Sequence, residues 1–104
     1  MDIQYNTDKT ISGEERQEVF FTAQIAKDLD RFNNHITRIE VHLKDENGKK
    51  EGIKDIQCTL EARLEGRKPI AATHNGANVK QAVTGATTKI KAALDTVIGK
   101  SREH

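Results

Sequence analysis

The chain has 104 residues, a net charge of +1 and one cysteine, with 32% charged and only 4% aromatic residues. That length suits a single domain over residues 1–104 with a two-layer, mainly aliphatic core, and it is too short for two independent cores. Lone Cys58 excludes an internal disulfide and a thiolate cluster for zinc, which fits a reducing compartment. No apolar run approaches a membrane span, and Met1-Asp2-Ile3-Gln4 lacks the basic and apolar parts of a secretory signal. The expectation is a soluble cytoplasmic protein.

Ile3 and Tyr5 alternate with Asp2, Gln4 and Asn6, which predicts a short strand ended by Asn6-Thr7-Asp8. Ser12 before Glu14-Glu15 marks a helix start, because carboxylates suit the positive end of the helix dipole. This helix is expected from Gly13 to Phe32. Phe21, Ile25, Leu29 and Phe32 share one face, Val19 and Ala26 fall toward its edge, and Phe20 points elsewhere, assigned to a widened buried face with an exposed contact as the alternative. Asn33-Asn34-His35 breaks the pattern. From Ile36 the period changes to two, with Ile39, Val41 and Leu43 alternating with Arg38, Glu40, His42 and Lys44. Asp45 to Gly52, centred on Asn47-Gly48, reads as a hairpin loop. In the next strand Ile56, Cys58, Leu60, Ala62 and Leu64 point one way, and Gln57, Thr59, Glu61 and Arg63 the other. Glu65-Gly66-Arg67-Lys68 makes a tight turn, and Pro69 stands at a strand start, where its missing donor is tolerated. Ile70 to His74 is the last strand, ended by Asn75-Gly76.

The clearest periodic segment is Val79 to Ile98. Val79, Ala82, Val83, Ala86, Ile90, Ala93, Leu94 and Val97 recur at spacings of three and four, which predicts an amphipathic helix with Asn78 as its N-cap. Lys80, Thr84, Lys89, Lys91 and Lys100 fall on or beside its other face. A glycine inside this pattern, Gly85, points to close packing. The order is β-α-β-β-β-α. A right-handed crossover makes the first two strands parallel, and short turns make the last three an antiparallel meander. The fold class is therefore α+β, a four-stranded mixed sheet with both helices packed on one face. The other face would carry Arg38, Glu40, His42, Gln57, Glu61 and Arg63. It offers no large apolar patch, so a monomer is expected in the free state.

Charge is unevenly spread. Residues 1–35 hold four Lys/Arg against seven Asp/Glu, residues 36–76 eight against seven, and residues 77–104 five against two. A basic last quarter permits a nucleic-acid-facing end. Catalytic signals are absent from the pattern. His35, His42, His74 and His104 form no metal-ligand spacing, Cys58 falls on an inward strand face, and Glu61 with Arg63 reads as a surface ladder. No cofactor, metal or small-molecule substrate is expected, and no membrane partner.

The order of elements and several local words together resemble the ribosome hibernation promoting factor family, also called ribosome-associated inhibitor or sigma-54 modulation proteins. The words are Asp2-Ile3-Gln4-Tyr5, Ile25-Ala26-Lys27 with Phe32, Ile39-Glu40-Val41-His42-Leu43, Glu61-Ala62-Arg63-Leu64-Glu65-Gly66, then Ala82-Val83 and Lys89-Ile90. They span nearly the whole chain. The resemblance implies a stress-response protein that binds the small ribosomal subunit in the channel used by messenger and transfer RNA and holds idle ribosomes inactive. It also implies a basic face on the second helix. Lys89 and Lys100 match that face, Ala92 and Thr96 do not, and Lys91 lies nearby; Lys27 matches a basic position on the first helix. The chain stops soon after the second helix and so looks like a short form of the family.

Two readings follow. The first is a non-enzymatic translation regulator that binds ribosomal RNA through Lys89, Lys91, Lys100 and Lys27, with the basic turn at Arg67 and Lys68, and Arg38 and Arg63, as further candidates. Phosphate contacts of this kind position a protein without reading sequence. Stacking is expected to matter little, because aromatics are few. The alternative is a protein-interaction module of the same fold that uses Arg38, His42 and Arg63 on the open sheet face.

Overall fold

In the structure, a computed structural model, residues 1–8, 15–46 and 55–102 are described, without the side chains of residues 15, 16 and 100–102. The helices and strands are of the expected kind and in the expected order: β1 (Asp2–Thr7), α1 (Glu15–Asp28), β2 (Ile36–Asp45), β3 (Ile56–Leu64), β4 (Ile70–Gly76) and α2 (Val79–Arg102) follow one another, with a short 3-10 turn at Asp30–Phe32. The strands form one sheet in the order β1-β2-β3-β4. β1 runs parallel to β2, and the other neighbours are antiparallel. The α+β fold expected from the sequence is borne out.

Strand alternation sets the layers. Ile39, Val41 and Leu43 of β2 pair with Ala62, Leu60 and Cys58 of β3, and all six are buried. They join Phe21, Ile25 and Leu29 of α1 and Val83, Ala86, Ile90 and Leu94 of α2 in one core, so both helices cover the same sheet face. Ile36 is buried as well, although it is three residues from Ile39 and out of phase with strict alternation. A register shift between Ile36 and Arg38 explains this: Thr37 is an extra residue, and its Oγ1 donates to the Arg63 carbonyl at 3.0 Å. The bulge lets both isoleucines face inward.

α2 begins as its sequence requires. The Gln81 N–H donates to Asn78 Oδ1 at 2.8 Å, and the Ala77 N–H to Gln81 Oε1 at 3.0 Å, so two otherwise unpaired donors at the helix start are satisfied. Gly85 allows the helix to approach β4. A Cβ added there would lie 2.0 Å from His74 Cδ2. At the β3–β4 turn Gly66 takes a φ of 72°, which suits glycine.

Several expected boundaries move. The first helix stops at Asp28 rather than Phe32. The Leu29 N–H still reaches Ile25 at 3.0 Å, but Phe32 bonds to Leu29 and Asn33 to Asp30, each three residues back, at 2.9 and 3.0 Å. The tighter turn keeps Phe32 in the core. Val19 and Phe20 lie outside the buried face, 61% and 57% exposed, because their positions on α1 turn them away from Phe21 and Ile25. β4 continues through Asn75 and Gly76, which pair with Gln57 and Ile56, and α2 extends beyond Ile98 to Arg102. Ser12, Gly13 and the Asn47-Gly48 loop lie outside the described residues.

Candidate nucleic-acid interface

The sequence-predicted cations fall into four places. Lys27 is in the last turn of α1, where a cation suits the helix dipole. Arg67 and Lys68 are exposed on the β3–β4 turn. Arg38 and Arg63 stand on the open sheet face. Lys89, Lys91 and Lys100 are on α2, the side chain of Lys100 being outside the described residues.

On α2 the two described lysines separate. They are two residues apart, hence roughly 200° around the helix axis, and leave on opposite flanks. Lys89 leans over the sheet edge, where its Nζ donates to the Thr73 carbonyl of β4 at 2.9 Å. Lys91 is exposed on the other flank, one turn before Asp95. Asp95 is ion-paired with Arg31, whose guanidinium carbon also lies 4.6 Å from the centroid of the Phe32 ring. Arg31 is a cation that sequence reasoning misses. Its signal is weak there, since only the tertiary fold brings residue 31 against residue 95. On this flank Arg31 offsets the carboxylate beside Lys91.

The sheet face differs. Arg38 Nη2 meets Glu40 Oε2 at 2.9 Å, and Arg63 Nε lies 3.0 Å from both Glu40 Oε2 and Glu61 Oε1. His42 Nε2 is 3.5 Å from Glu40 Oε1. Desolvation alone would raise the Glu40 pKa; Arg38, Arg63 and His42 outweigh it and hold the carboxyl below its ordinary value. Register places like charges opposite each other, Arg38 against Arg63 and Glu40 against Glu61, and the along-strand pairs Arg38–Glu40 and Arg63–Glu61, with the diagonal pair Arg63–Glu40, relieve the repulsion. This face balances its own charge, and its arginines grip carboxylates. The expected surface ladder at Glu61 and Arg63 is present.

A shallow cavity of about 520 Å³ opens at the start of α2, lined by His74, Asn75, Asn78, Lys80, Gln81 and Thr84. Asn78 and Gln81 are already used to cap the helix. Cys58 is fully buried, and burial pushes its thiol up to about 12, so it supplies no nucleophile at neutral pH. Among the described residues no group of three or more His, Cys, Asp or Glu gathers to hold a metal ion, and no helix is long and apolar enough to cross a membrane.

The described residues thus form a small α+β protein with a polar outer sheet face and both helices on the other face. No protein-family model matches the chain, and no curated protein matches it in sequence. Among solved structures it is similar to the N-terminal domain of Protein Y from Thermus thermophilus, with a TM-score of 0.74 and 13% identity over 93% of this chain and 99% of that one. It is equally similar in fold to a ribosomal subunit interface protein from Coxiella burnetii, with a TM-score of 0.74 and 15% identity over 95% of this chain and 99% of the other. At these identities the likeness is one of fold, and at that level the resemblance to the hibernation factors is borne out.

Proposed function

We propose that the protein is a non-enzymatic, cytoplasmic translation regulator that binds the small ribosomal subunit in the messenger and transfer RNA channel and holds idle ribosomes inactive. The observation that carries this reading is the fold shared over nearly the whole chain with a ribosomal subunit interface protein. The exposed cations on the Lys91 flank of α2 support it. Lys91 and Arg31 are exposed there, and Asp95 is already compensated by Arg31. Lys89, Lys100 and Lys27, with Arg67 and Lys68 on the turn, are the other cations offered to phosphate. The free protein is a monomer in this reading.

The experiment is sedimentation with purified ribosomes across a salt series, for the wild type and the triple variant Lys89→Gln, Lys91→Gln, Lys100→Gln. Binding should weaken with salt, and in the variant the slope of log affinity against log salt should shrink by about 0.7–0.9 for each phosphate no longer neutralised. Circular dichroism controls for the fold. Unchanged affinity and slope in a folded variant would remove α2 from the interface.

The second reading, a protein-interaction module, is favoured by one feature. Arg38, Glu40, Glu61 and Arg63 form a pre-ordered, self-neutral network on an open face. If Arg38→Gln with Arg63→Gln abolishes ribosome binding while leaving its salt slope unchanged in partly active single variants, that face meets protein.

A further inference from the structure

Phe20 lies on the outer surface of α1 with more than half of its area in solvent, next to exposed Val19. It is not a loose side chain. Its ring stands edge-to-face against buried Phe21, with centroids 5.1 Å apart and planes at 81°. Phe21 is anchored in the core, so the contact holds the Phe20 ring in place while leaving it open to a partner. Within about 60° of Phe20 around the helix axis, the described side chains are Gln17, Ala23, Gln24 and Lys27. None is a carboxylate. Asp28, eight residues on, falls roughly 80° away beyond Gln24, and Glu18 roughly 160° away, on the other side of the helix. Beyond Lys27 the chain passes Asp28 and Asp30 before Arg31, which is ion-paired with Asp95 of α2.

The geometry points to Phe20 as a stacking platform for an unpaired RNA base, with Gln24 beside the base edge and Lys27 on the backbone phosphate that follows. This rests on the reading of the protein as a ribosome-RNA binder and names a contact within it. The occupant is inferred from charge. A ring flanked by a small residue, two amides and a lysine, with no carboxylate beside it, suits an anionic strand with exposed π-faces, and such stacking tolerates any base. The expectation from composition that stacking would matter little is revised at this one position.

The test uses Phe20→Ala, Phe20→Leu and Phe20→Trp in the full chain. Ribosome affinity should fall about 5- to 140-fold in Phe20→Ala, the range typical for removing the platform under one stacked base. Phe20→Leu should not rescue it, since leucine keeps apolar bulk without a π-face. Phe20→Trp should bind as the wild type does, with its emission quenched on adding ribosomes or an unstructured RNA oligonucleotide. Full affinity in Phe20→Ala, with the triple lysine variant impaired, overturns the stacking site and leaves ribosome binding standing. Rescue by leucine overturns it in favour of an apolar protein contact. A concentration-dependent dimer that Phe20→Ala dissolves overturns it in favour of a second copy of this chain. If the wild type does not bind ribosomes at all, quenching of Phe20→Trp by the oligonucleotide alone keeps the stacking site and discards the ribosomal reading; no quenching discards both.

Discussion

Lys89 and Thr73 join α2 to the rim of the sheet: the ammonium of one donates to the backbone carbonyl of the other at 2.9 Å. β4 is the last strand in the sheet order, and a row of open carbonyls and amides on such an edge would template pairing with another chain. A lysine laid across the edge blunts it. Lys91 stands exposed on the opposite flank and points away from the edge. The two lysines should therefore behave differently when neutralised singly. Lys91→Gln should leave stability unchanged and reduce the ribosome salt slope by about 0.7–0.9. Lys89→Gln should cost up to about 1 kcal/mol of stability, the worth of one exposed hydrogen bond, with a smaller reduction in slope. Urea unfolding and salt titration of each variant check this, and equal slope reductions would place both lysines on phosphate.

Much of this fold is legible in the sequence because its signals are local. Alternation identifies the inward residues of β3 and, from Ile39 onward, of β2, and Asn78 marks its helix start by a side-chain bond to an amide three residues on. What escapes is decided by distant partners. β4 runs on through Asn75 and Gly76, two poor strand formers, because Gln57 and Ile56 are there to pair with them. Leu29 and Phe32 fit an α-helical wheel and a 3-10 turn equally well, so the end of α1 at Asp28 has no periodic signature. The candidate site suffers most. Alternation puts Arg38 and Glu40 on one face and reads Glu61 with Arg63 as a ladder, but only the β2–β3 register brings Arg63 to Glu40 and joins the two pairs into one network. Phe20 looks like core until the helix orientation exposes it.

Gly85 and His74 make a second test of the helix–sheet contact. Alanine has a helix propensity about 1 kcal/mol better than glycine, so Gly85→Ala would stabilise α2 in isolation. Here the new methyl would fall 2.0 Å from His74 Cδ2 and 2.3 Å from Cγ. Overpacking of this kind costs about 1–3 kcal/mol, which exceeds the propensity gain. Gly85→Ala should therefore lower the melting temperature, by about 4–8 °C for each net kcal/mol of destabilisation. In a His74→Ala background the same change should raise it. Thermal unfolding of the four chains gives the coupling directly, and additive effects would show that His74 does not set the approach of α2.

Cys58 should report global unfolding. It is fully buried between Leu43 and His74 in the sheet register, and desolvation pushes its thiol up to about 12. Only the thiolate attacks disulfide reagents. At pH 8 the folded protein should label far more slowly than the urea-unfolded chain, and the rate should rise along the unfolding curve. Fast labelling without denaturant would mean that β3 opens locally.

The last prediction concerns the charge network on the open sheet face. Desolvation pushes the Glu40 pKa up, but Arg38, Arg63 and His42 together bring it below the ordinary value. A carboxyl with a lowered folded pKa adds stability that is fully present above its unfolded pKa. As pH falls, the unfolded chain takes up the proton first, and the contribution is gone once pH passes below the folded pKa. Glu40→Gln should therefore be less stable than the wild type at pH 7, and the gap should close progressively from pH values near the unfolded pKa downward. Carbon-detected NMR titration of the wild type should place the Glu40 midpoint below that of an unstructured glutamate. Arg38→Gln should move the midpoint upward, because Arg38 supplies both a charge and a hydrogen bond to this carboxyl. Arg63→Gln should move it less, since it acts through charge alone in setting that pKa and is shared with Glu61. A midpoint indifferent to both substitutions would mean that the arginines are held by solvent rather than by Glu40, and would return them to the pool of cations available to phosphate.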